Sequence, residues 1–270
     1  MSQHPLDKPE VVDNLFYPRR ATMGQSTPDL VFYDGLIPVD DEADIAIGYR
    51  LYPHPDEATE TIPLILFFHG NGEIAPDYDN MADAYHTSGV SLLIVDYRGY
   101  GWSTGKTLTS TMLSDAAVAL EAIPDMLAEH GLNTDIPLFV KGRSLGSAPA
   151  IYLAQQFPKT FKGLILDSAY ADAPSLFRRM GISLDTYQDD DALPINNLRK
   201  MKVVNLPLLV IHGEQDALIP VQHGLDLYAA SPSTEKTLLT IPRAGHNNIL
   251  LFAMREYFDA LTVFVAKFAG

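Results

Sequence analysis

Residues 142–146 have the sequence GRSLG, a short segment that predicts a nucleophilic serine at position 144. The preceding residues 136–141 are largely apolar and favour a strand, and residues 147–154 favour a helix. A strand that turns at once into a helix leaves the hydroxyl of the central serine exposed on a strained corner. The flanking glycines let neighbouring backbones approach where a Cβ would clash.

A second segment of the same pattern, residues 101–105 with the sequence GWSTG, contains Ser103. It follows the strand-like run 92–96 only after four intervening residues, and no helical run starts directly behind it. Because the strand–turn–helix context is missing, this segment favours a glycine-rich loop, and Ser144 is the candidate nucleophile.

A serine hydroxyl is a weak nucleophile and needs a neighbouring base. Histidine suits this role because its ordinary pKa lies close to physiological pH. His246 lies in a loop after the predicted strand 237–241, whereas His223 falls within a predicted helix. The sequence therefore predicts His246 as the base.

The base in turn needs an acid that holds its tautomer and stabilises its cation. Asp216 follows the predicted strand 208–211 and is the leading candidate, with Glu214 as its rival. Asp167, at the end of an earlier strand, is the other position from which an acid could reach the site. The chain order Ser, Asp, His is the order expected for a serine on this kind of turn.

An oxyanion that forms on the substrate needs N–H donors fixed in advance. The main-chain N–H of Leu145, directly after the nucleophile, is one candidate, and Asn71 or Gly72 in the loop after the strand 64–68 is the other. His69 opens that loop, and we expect it to hold the loop in place by hydrogen bonding.

Short strand-like runs alternate with amphipathic helical stretches, a pattern typical of a mainly parallel sheet with helices on both faces. The predicted helices cover 79–88, 111–130, 145–157, 221–229 and 248–267, with Pro124 breaking the second. Eight strands are predicted, at 30–33, 45–52, 64–68, 92–96, 136–141, 163–166, 208–211 and 237–241.

The chain divides into an N-terminal arm, residues 1–29, and a single α/β domain, residues 30–270. We expect the arm to dock on the body or on a partner. The connection at about 170–205 is too long for a plain loop and predicts a short helical cap. Within it, the run of three aspartates at 189–191 favours a solvated turn over a metal site.

Together, the segments HGN at 69–71, DYRGYGWS at 96–103, GRSLG at 142–146, HGEQD at 212–216 and GH at 245–246 resemble the α/β-hydrolase-fold serine hydrolases. The resemblance covers about residues 30–270. It is strongest to the small single-domain esterases that include acyl-protein thioesterases, the depalmitoylases. It implies Ser144, Asp216 and His246 as a catalytic triad, and Asn71 and Leu145 as oxyanion donors. Eukaryotic depalmitoylases carry a lipidated N-terminal cysteine cluster, and this chain has no cysteine.

The amino-acid composition disfavours several classes of binding partner. The formal net charge of −15 disfavours nucleic acid and anionic membranes as partners, and 47% hydrophobic residues allow a large core. Without cysteine there is no disulfide, no thiol nucleophile and no cysteine-based metal site. We expect a cytoplasmic protein with no stable membrane anchor, no cofactor and no metal, acting on a small-molecule or acyl-chain ester.

The sequence disfavours a nucleotide-binding protein. Residues 99–107 resemble a phosphate-binding loop, but Tyr100 and Thr104 stand where the nucleotide-binding patterns need glycine. A non-catalytic binding protein of the same fold, or an amidase or peptidase, remains as the alternative. The sequence favours hydrolysis of a carboxylic ester or thioester with an apolar moiety.

Overall fold

Eight strands form one mixed sheet in the part of the chain that the computed structural model describes, residues 5–40, 44–56, 61–173, 176–177, 181 and 196–270. The strands are β1 (Tyr33–Asp40), β2 (Ile45–Tyr52), β3 (Leu64–Phe68), β4 (Ser91–Val95), β5 (Leu138–Arg143), β6 (Phe161–Asp167), β7 (Leu208–Gly213) and β8 (Lys236–Ile241). Their order across the sheet is β1-β2-β4-β3-β5-β6-β7-β8. β2 pairs antiparallel with β1 and β4, and the other five pairings are parallel. The predicted α/β class is confirmed.

Helices cover both faces of this sheet. They are α1 (Pro9–Leu15), α2 (Ala82–Thr87), α3 (Thr109–Glu121), α4 (Ile123–Glu129), α5 (Ser147–Gln156), α6 (Asn197–Met201), α7 (Val221–Ala230) and α8 (Ile249–Phe268). None of the helices in the described residues is long and apolar enough to cross a bilayer.

Side chains of β3 show how the two faces are built. Leu64, Leu66 and Phe68 point to one side and pack with residues of α3 and α5, and we call this the α5 face. Ile65 and Phe67 point to the other side and pack with residues of α2 and α8, the α8 face. All five side chains are almost fully buried, which is why the strand reads as a continuous apolar run.

The first strand differs from its predicted position. β1 covers Tyr33–Asp40 rather than 30–33, because the hairpin pairs it antiparallel with residues 45–51 of β2. Gly35 is needed within it, since a Cβ there would lie 2.4 Å from the ring of Tyr49 on β2. Pro38 is tolerated because β1 is an edge strand.

One predicted helix differs from the structure, and the predicted break of another at Pro124 is confirmed. The predicted helix 79–88 consists of a 3₁₀ turn, Ala75–Met81, followed by α2. The predicted helix 111–130 is divided into α3 and α4, and Pro124 lies in the first turn of α4. Proline is accepted there because its missing N–H would have had no helical partner.

The N-terminal segment packs on the body of the protein. Val12, Leu15 and Phe16 belong to the core cluster of the α5 face. The main chain continues along the loop after β4, where Gly101 donates its N–H to Arg19 O at 2.8 Å.

Most of the segment predicted as a cap, including the aspartates at 189–191, lies outside the described residues. Its described portions include the buried side chain of Phe177 and helix α6.

Candidate active site

Ser144 lies on the turn between β5 and α5, in a backbone conformation that non-glycine residues rarely adopt. Its φ is 52°, in the left-handed region, which costs about 1–3 kcal/mol. A Cβ on Gly142 would lie 2.3 Å from Gly146 O, and one on Gly146 would lie 2.0 Å from Phe68 O. Both glycines are therefore required by the close packing that holds the strained serine between strand and helix.

His246 lies in the loop after β8 and reaches both other candidate triad residues. Its Nε2 is 2.9 Å from Ser144 Oγ, and its Nδ1 is 2.7 Å from Asp216 Oδ2. Because a carboxylate can only accept, Nδ1 carries the proton and Nε2 is left to accept one from the serine. The structure thus brings together three side chains that are far apart in the sequence.

Asp216 is held as an ionised acceptor in the loop after β7. Its Oδ1 accepts hydrogen bonds from the main-chain N–H groups of Leu218 at 2.9 Å and Ile219 at 2.7 Å. Burial by itself raises the pKa of Asp216, but His212 and His246 lower it well below its usual range. Carboxylates that accept several hydrogen bonds remain charged at neutral pH.

The two alternative acids point elsewhere. Glu214 is exposed, and it accepts a hydrogen bond from Thr240 Oγ1 at 3.0 Å. Asp167 accepts hydrogen bonds from Ser168 Oγ and Tyr257 OH, each at 2.9 Å. Both carboxylates thus bind residues other than His246.

The second GxSxG segment and the second histidine have structural contacts. Ser103 is fully buried, and its Oγ accepts the N–H of Gly48 on β2 at 2.7 Å. His223 lies on α7, where its Nδ1 accepts the N–H of Ala171 at 3.2 Å. Ser103 therefore ties the loop after β4 to the sheet.

Asn71 joins the loop after β3 to the N-terminal segment. Its Oδ1 accepts hydrogen bonds from Tyr17 N at 3.0 Å and Tyr100 OH at 2.7 Å, and its Nδ2 donates to Leu15 O at 2.6 Å. Since the side-chain amide is engaged in this way, the group that Asn71 can offer an oxyanion is its main-chain N–H.

Asn71 and Leu145 both line the cavity in front of Ser144. Gly72, the alternative donor, is not among the described residues that line this cavity, which favours Asn71 over Gly72 as the partner of Leu145 in an oxyanion site.

His69 is fully buried beneath the same loop. Its Nδ1 lies 2.8 Å from Gly70 O, and its Nε2 lies 3.1 Å from Asp96 Oδ1. Burial by itself lowers the pKa of His69, but Asp96 raises it above its ordinary value. These contacts agree with a residue that holds the loop rather than one that meets a substrate.

A cavity of about 380 Å³, which we call the Ser144 cavity, opens in front of the serine and His246. Its size lies within the range of small-molecule sites. Its walls are mainly apolar and come from the N-terminal segment, α3, the described part of the predicted cap and the loop after β7: Leu15, Phe16, Met112, Tyr170, Phe177 and Ile219.

A second cavity of about 290 Å³, the Lys141 cavity, lies on the α8 face and also reaches His246 and Asn247. Polar and charged side chains form a larger share of its walls than in the Ser144 cavity. Lys141 Nζ donates to Tyr85 OH at 2.6 Å and lies 3.7 Å from the centre of the Phe67 ring. Burial lowers the pKa of Lys141 to about 8.

Sequence reasoning assigned no role to Arg143 and Glu73, although both contact the site. Their side chains form an ion pair between β5 and the loop after β3. The sequence feature that could have indicated Arg143 is its position as a charged residue inside the GRSLG segment, at the end of a buried strand. Within the described residues, no group of three or more histidine, aspartate and glutamate side chains could hold a metal ion.

Sequence comparison finds relatives for most of this chain. Residues 59–184 match the family described as serine aminopeptidase, S33. The chain is 28% identical to protein bem46 of Schizosaccharomyces pombe over 216 residues, which cover 78% of this chain and 70% of that protein. It is 31% identical over 206 residues to mouse α/β hydrolase domain-containing protein 17C, covering 75% of this chain and 59% of that protein.

The worm α/β hydrolase domain-containing protein aho-3, from Caenorhabditis elegans, is 31% identical over 205 residues, covering 74% of this chain and 57% of that protein. The chain therefore spans less than two thirds of the length of the worm and mouse relatives.

Solved structures share the fold at low sequence identity. The esterase Pf2001 of Pyrococcus furiosus superposes with a TM-score of 0.73 at 19% identity, covering 94% of this chain and 99% of that one. Est1E of Butyrivibrio proteoclasticus, solved with ferulic acid, gives 0.68 at 21% identity, covering 87% and 98%. These likenesses agree with the sheet order and with the sequence relatives, and they identify the chain as a protein of the α/β-hydrolase fold.

Proposed function

We propose that this chain is a serine hydrolase that cleaves a carboxylic ester or thioester with an apolar moiety. The observation that carries the proposal is the hydrogen-bonded series from Ser144 Oγ through His246 to Asp216, with distances of 2.9 and 2.7 Å. A serine on a strained turn with an oriented base beside it is the arrangement that acyl transfer requires.

In the acylation step, Ser144 Oγ attacks the acyl carbonyl carbon while His246 Nε2 takes the hydroxyl proton. Asp216 keeps the proton on Nδ1 and stabilises the imidazolium that forms. The N–H groups of Leu145 and Asn71 donate to the oxyanion. The tetrahedral intermediate then collapses, and the alcohol or thiol leaves with the proton from His246.

In the deacylation step, His246 Nε2 removes a proton from water, which attacks the acyl carbon bound to Ser144 Oγ. The second tetrahedral intermediate uses the same donors. Its collapse releases the carboxylic acid and returns the proton to Ser144.

The walls of the Ser144 cavity support an apolar acyl or alcohol moiety. Burial of apolar ligand surface contributes roughly 25 cal/mol per Å² of contact. Ser144, His246 and Asn71 belong to the lining of this cavity, so we expect a substrate to orient with its carbonyl at Ser144 and its apolar part against Phe16 and Phe177.

The first test is labelling of the wild type, Ser144→Ala and Ser103→Ala by a fluorophosphonate probe. We expect labelling to be lost only in Ser144→Ala. Labelling lost only in Ser103→Ala would assign the nucleophile to the other segment. A folded wild type that does not react would favour a non-catalytic binding protein.

The match to a family described as serine aminopeptidase supports a second candidate, hydrolysis of an amide or peptide bond. The same catalytic groups serve both reactions, since each passes through an acyl-enzyme. A matched series of p-nitrophenyl esters, thioesters and aminoacyl anilides separates them by kcat/KM. We expect esters or thioesters to be preferred; faster anilide turnover would select the peptidase.

We also propose that residues 30–270 act as one domain and that the N-terminal segment is part of its site. The cytoplasmic location stays a prediction.

A further inference from the structure

We propose that Arg143 and Glu73 are positioning residues, whose ion pair fixes the nucleophile turn, the oxyanion loop and the histidine loop relative to one another. This inference rests on the proposed hydrolase function. It assigns a role to two charged residues that do not carry out the chemistry themselves.

Arg143 is the last residue of β5 and directly precedes Ser144. One of its guanidinium nitrogens, Nη1, binds Glu73 Oε1. The other, Nη2, donates to His246 O at 2.9 Å and to Asn247 Oδ1 at 3.0 Å. The planar fork of arginine thus connects the strand that carries the nucleophile with the main chain of the base.

Glu73 extends this connection to the oxyanion loop. Its Oε2 accepts the main-chain N–H of Gly70 at 2.7 Å and the hydroxyl of Tyr78 at 2.6 Å. Burial by itself raises the pKa of Glu73, but the charge of Arg143 lowers it below its ordinary value. The carboxylate is therefore ionised at neutral pH and holds the residue that directly precedes Asn71.

The ion pair consequently joins three loops that the chain places far apart. Catalytic groups have to be held within about 0.5 Å of their productive geometry, and a displacement of about 1 Å costs up to about 10²-fold in rate. His246 and Ser144 lie on separate loops, so the distance between them depends on contacts between those loops. Arg143 supplies one, because it neighbours Ser144 and binds the carbonyl of His246.

A purely structural ion pair would predict a different outcome from a positioning pair. Lysine keeps a positive charge for Glu73 but offers a single ammonium in place of the fork. For a structural pair, lysine preserves both folding and rate. For a positioning pair, lysine preserves folding but loses the bond to the histidine loop, so kcat falls.

The experiment measures kcat, KM, Tm and the fluorophosphonate labelling rate for the wild type, Arg143→Lys and Arg50→Lys. Arg50 is a matched control, because it is buried and its fork binds Asp34 and Asp79 outside both cavities. We expect both variants to lose a similar amount of Tm, about 2–8 °C. We expect kcat and the labelling rate to fall about 10- to 100-fold in Arg143→Lys alone, with KM within about threefold.

A kcat of Arg143→Lys within twofold of the wild type would overturn the positioning role. If Arg143→Lys does not fold, Glu73→Gln decides by the same criterion, since glutamine keeps the size of the side chain and an oxygen acceptor but loses the charge. Labelling of the wild type and its loss in Ser144→Ala test the proposed function separately. An unlabelled wild type would refute the function, whereas a labelled wild type with an unaffected Arg143→Lys would refute only the positioning role.

Discussion

Arg143 and His246 line both cavities, and the two cavities differ in what their polar side chains contact. In the Ser144 cavity, the walls are mainly apolar, and the polar lining includes Ser144, His246 and Asn71. In the Lys141 cavity, the polar groups pair with one another: Lys141 with Tyr85, Tyr257 with Asp167 and Tyr78 with Glu73. Polar groups that satisfy each other stabilise a fold, while groups that converge on open space are available to a substrate.

This contrast also explains the difference between two buried carboxylates. Asp216 lies in the loop after β7 and Asp167 is the last residue of β6, and both are buried to a similar degree. Asp216 accepts from a histidine whose other nitrogen faces Ser144, whereas Asp167 accepts from a tyrosine on α8. The partner, rather than burial, decides which carboxylate can assist proton transfer.

The largest expected effect comes from removing the reactive group of the Ser144 cavity. Ser144→Ala should lower kcat at least ~10³-fold with little change in Tm, because the hydroxyl forms the acyl bond. Ser103→Ala is the control, since it loses the bond to Gly48 and should lower Tm while kcat changes by less than about threefold. Steady-state turnover of a p-nitrophenyl ester and thermal unfolding measure both. Near-normal turnover by Ser144→Ala would contradict the mechanism.

A pair of asparagine substitutions tests the two carboxylates against each other. Asp216→Asn should lower kcat about 10²- to 10⁴-fold, because the amide no longer enforces the tautomer of His246. Asp167→Asn should lower kcat less than about tenfold, since its partner is Tyr257. Rate losses in the reverse order would move the acid to the end of β6.

The wall of the Ser144 cavity offers a test of specificity. Phe16→Ala enlarges the cavity and should shift the ratio of kcat/KM for long against short acyl esters by about tenfold towards long chains. Phe32→Ala is the control, because Phe32 is buried to a similar degree in the cluster of the α8 face. An unchanged chain-length profile for Phe16→Ala would remove the N-terminal segment from the substrate site.

The smallest effect on rate is expected from a substitution in the Lys141 cavity. There, the measurable effect is on how the free energy of unfolding depends on pH. The folded pKa of Lys141, about 8, lies below the ordinary lysine value of 10.5. Between these values the unfolded chain binds more protons, so the contribution of Lys141 to the free energy of unfolding rises with pH. Buried as an ammonium at pH 7, it therefore lowers stability, by up to about 3 kcal/mol.

Lys141→Met should consequently be more stable than the wild type near pH 7, and this advantage should shrink between pH 8 and 10. Urea unfolding of both proteins across that range measures it, because their remaining titrations cancel in the difference. Its kcat should stay within about threefold. An advantage that does not change with pH would mean that Lys141 is charged equally in both states.

The sequence predicted those features that depend on interactions between residues close together in the chain. The strands β2 and β3 begin and end where predicted, since turn residues bound their runs. The break at Pro124 follows from the missing N–H of proline. The position of β1 was not found, because it depends on pairing with seven residues of β2, and no local pattern shows that pairing.

For the site, the sequence by itself determined the strained turn at Ser144 and the loops that end at the same edge of the sheet. These follow from two glycines that only fit without a Cβ and from apolar runs that end in polar residues. The contact of Gly142 with Gly146 and the apolar runs each involve residues close in sequence, so they are visible in one short window.

Only the tertiary structure decided which polar groups face one another. Glu214 and Asp216 lie in one loop, and the turn that gives Asp216 the N–H groups of Leu218 and Ile219 aims it at His246. Arg143 meets Glu73 across 70 positions of the chain. Contacts of this kind depend on the direction of each side chain and on the distance between separate loops. The packing of the whole sheet sets both, and no single segment of sequence shows them.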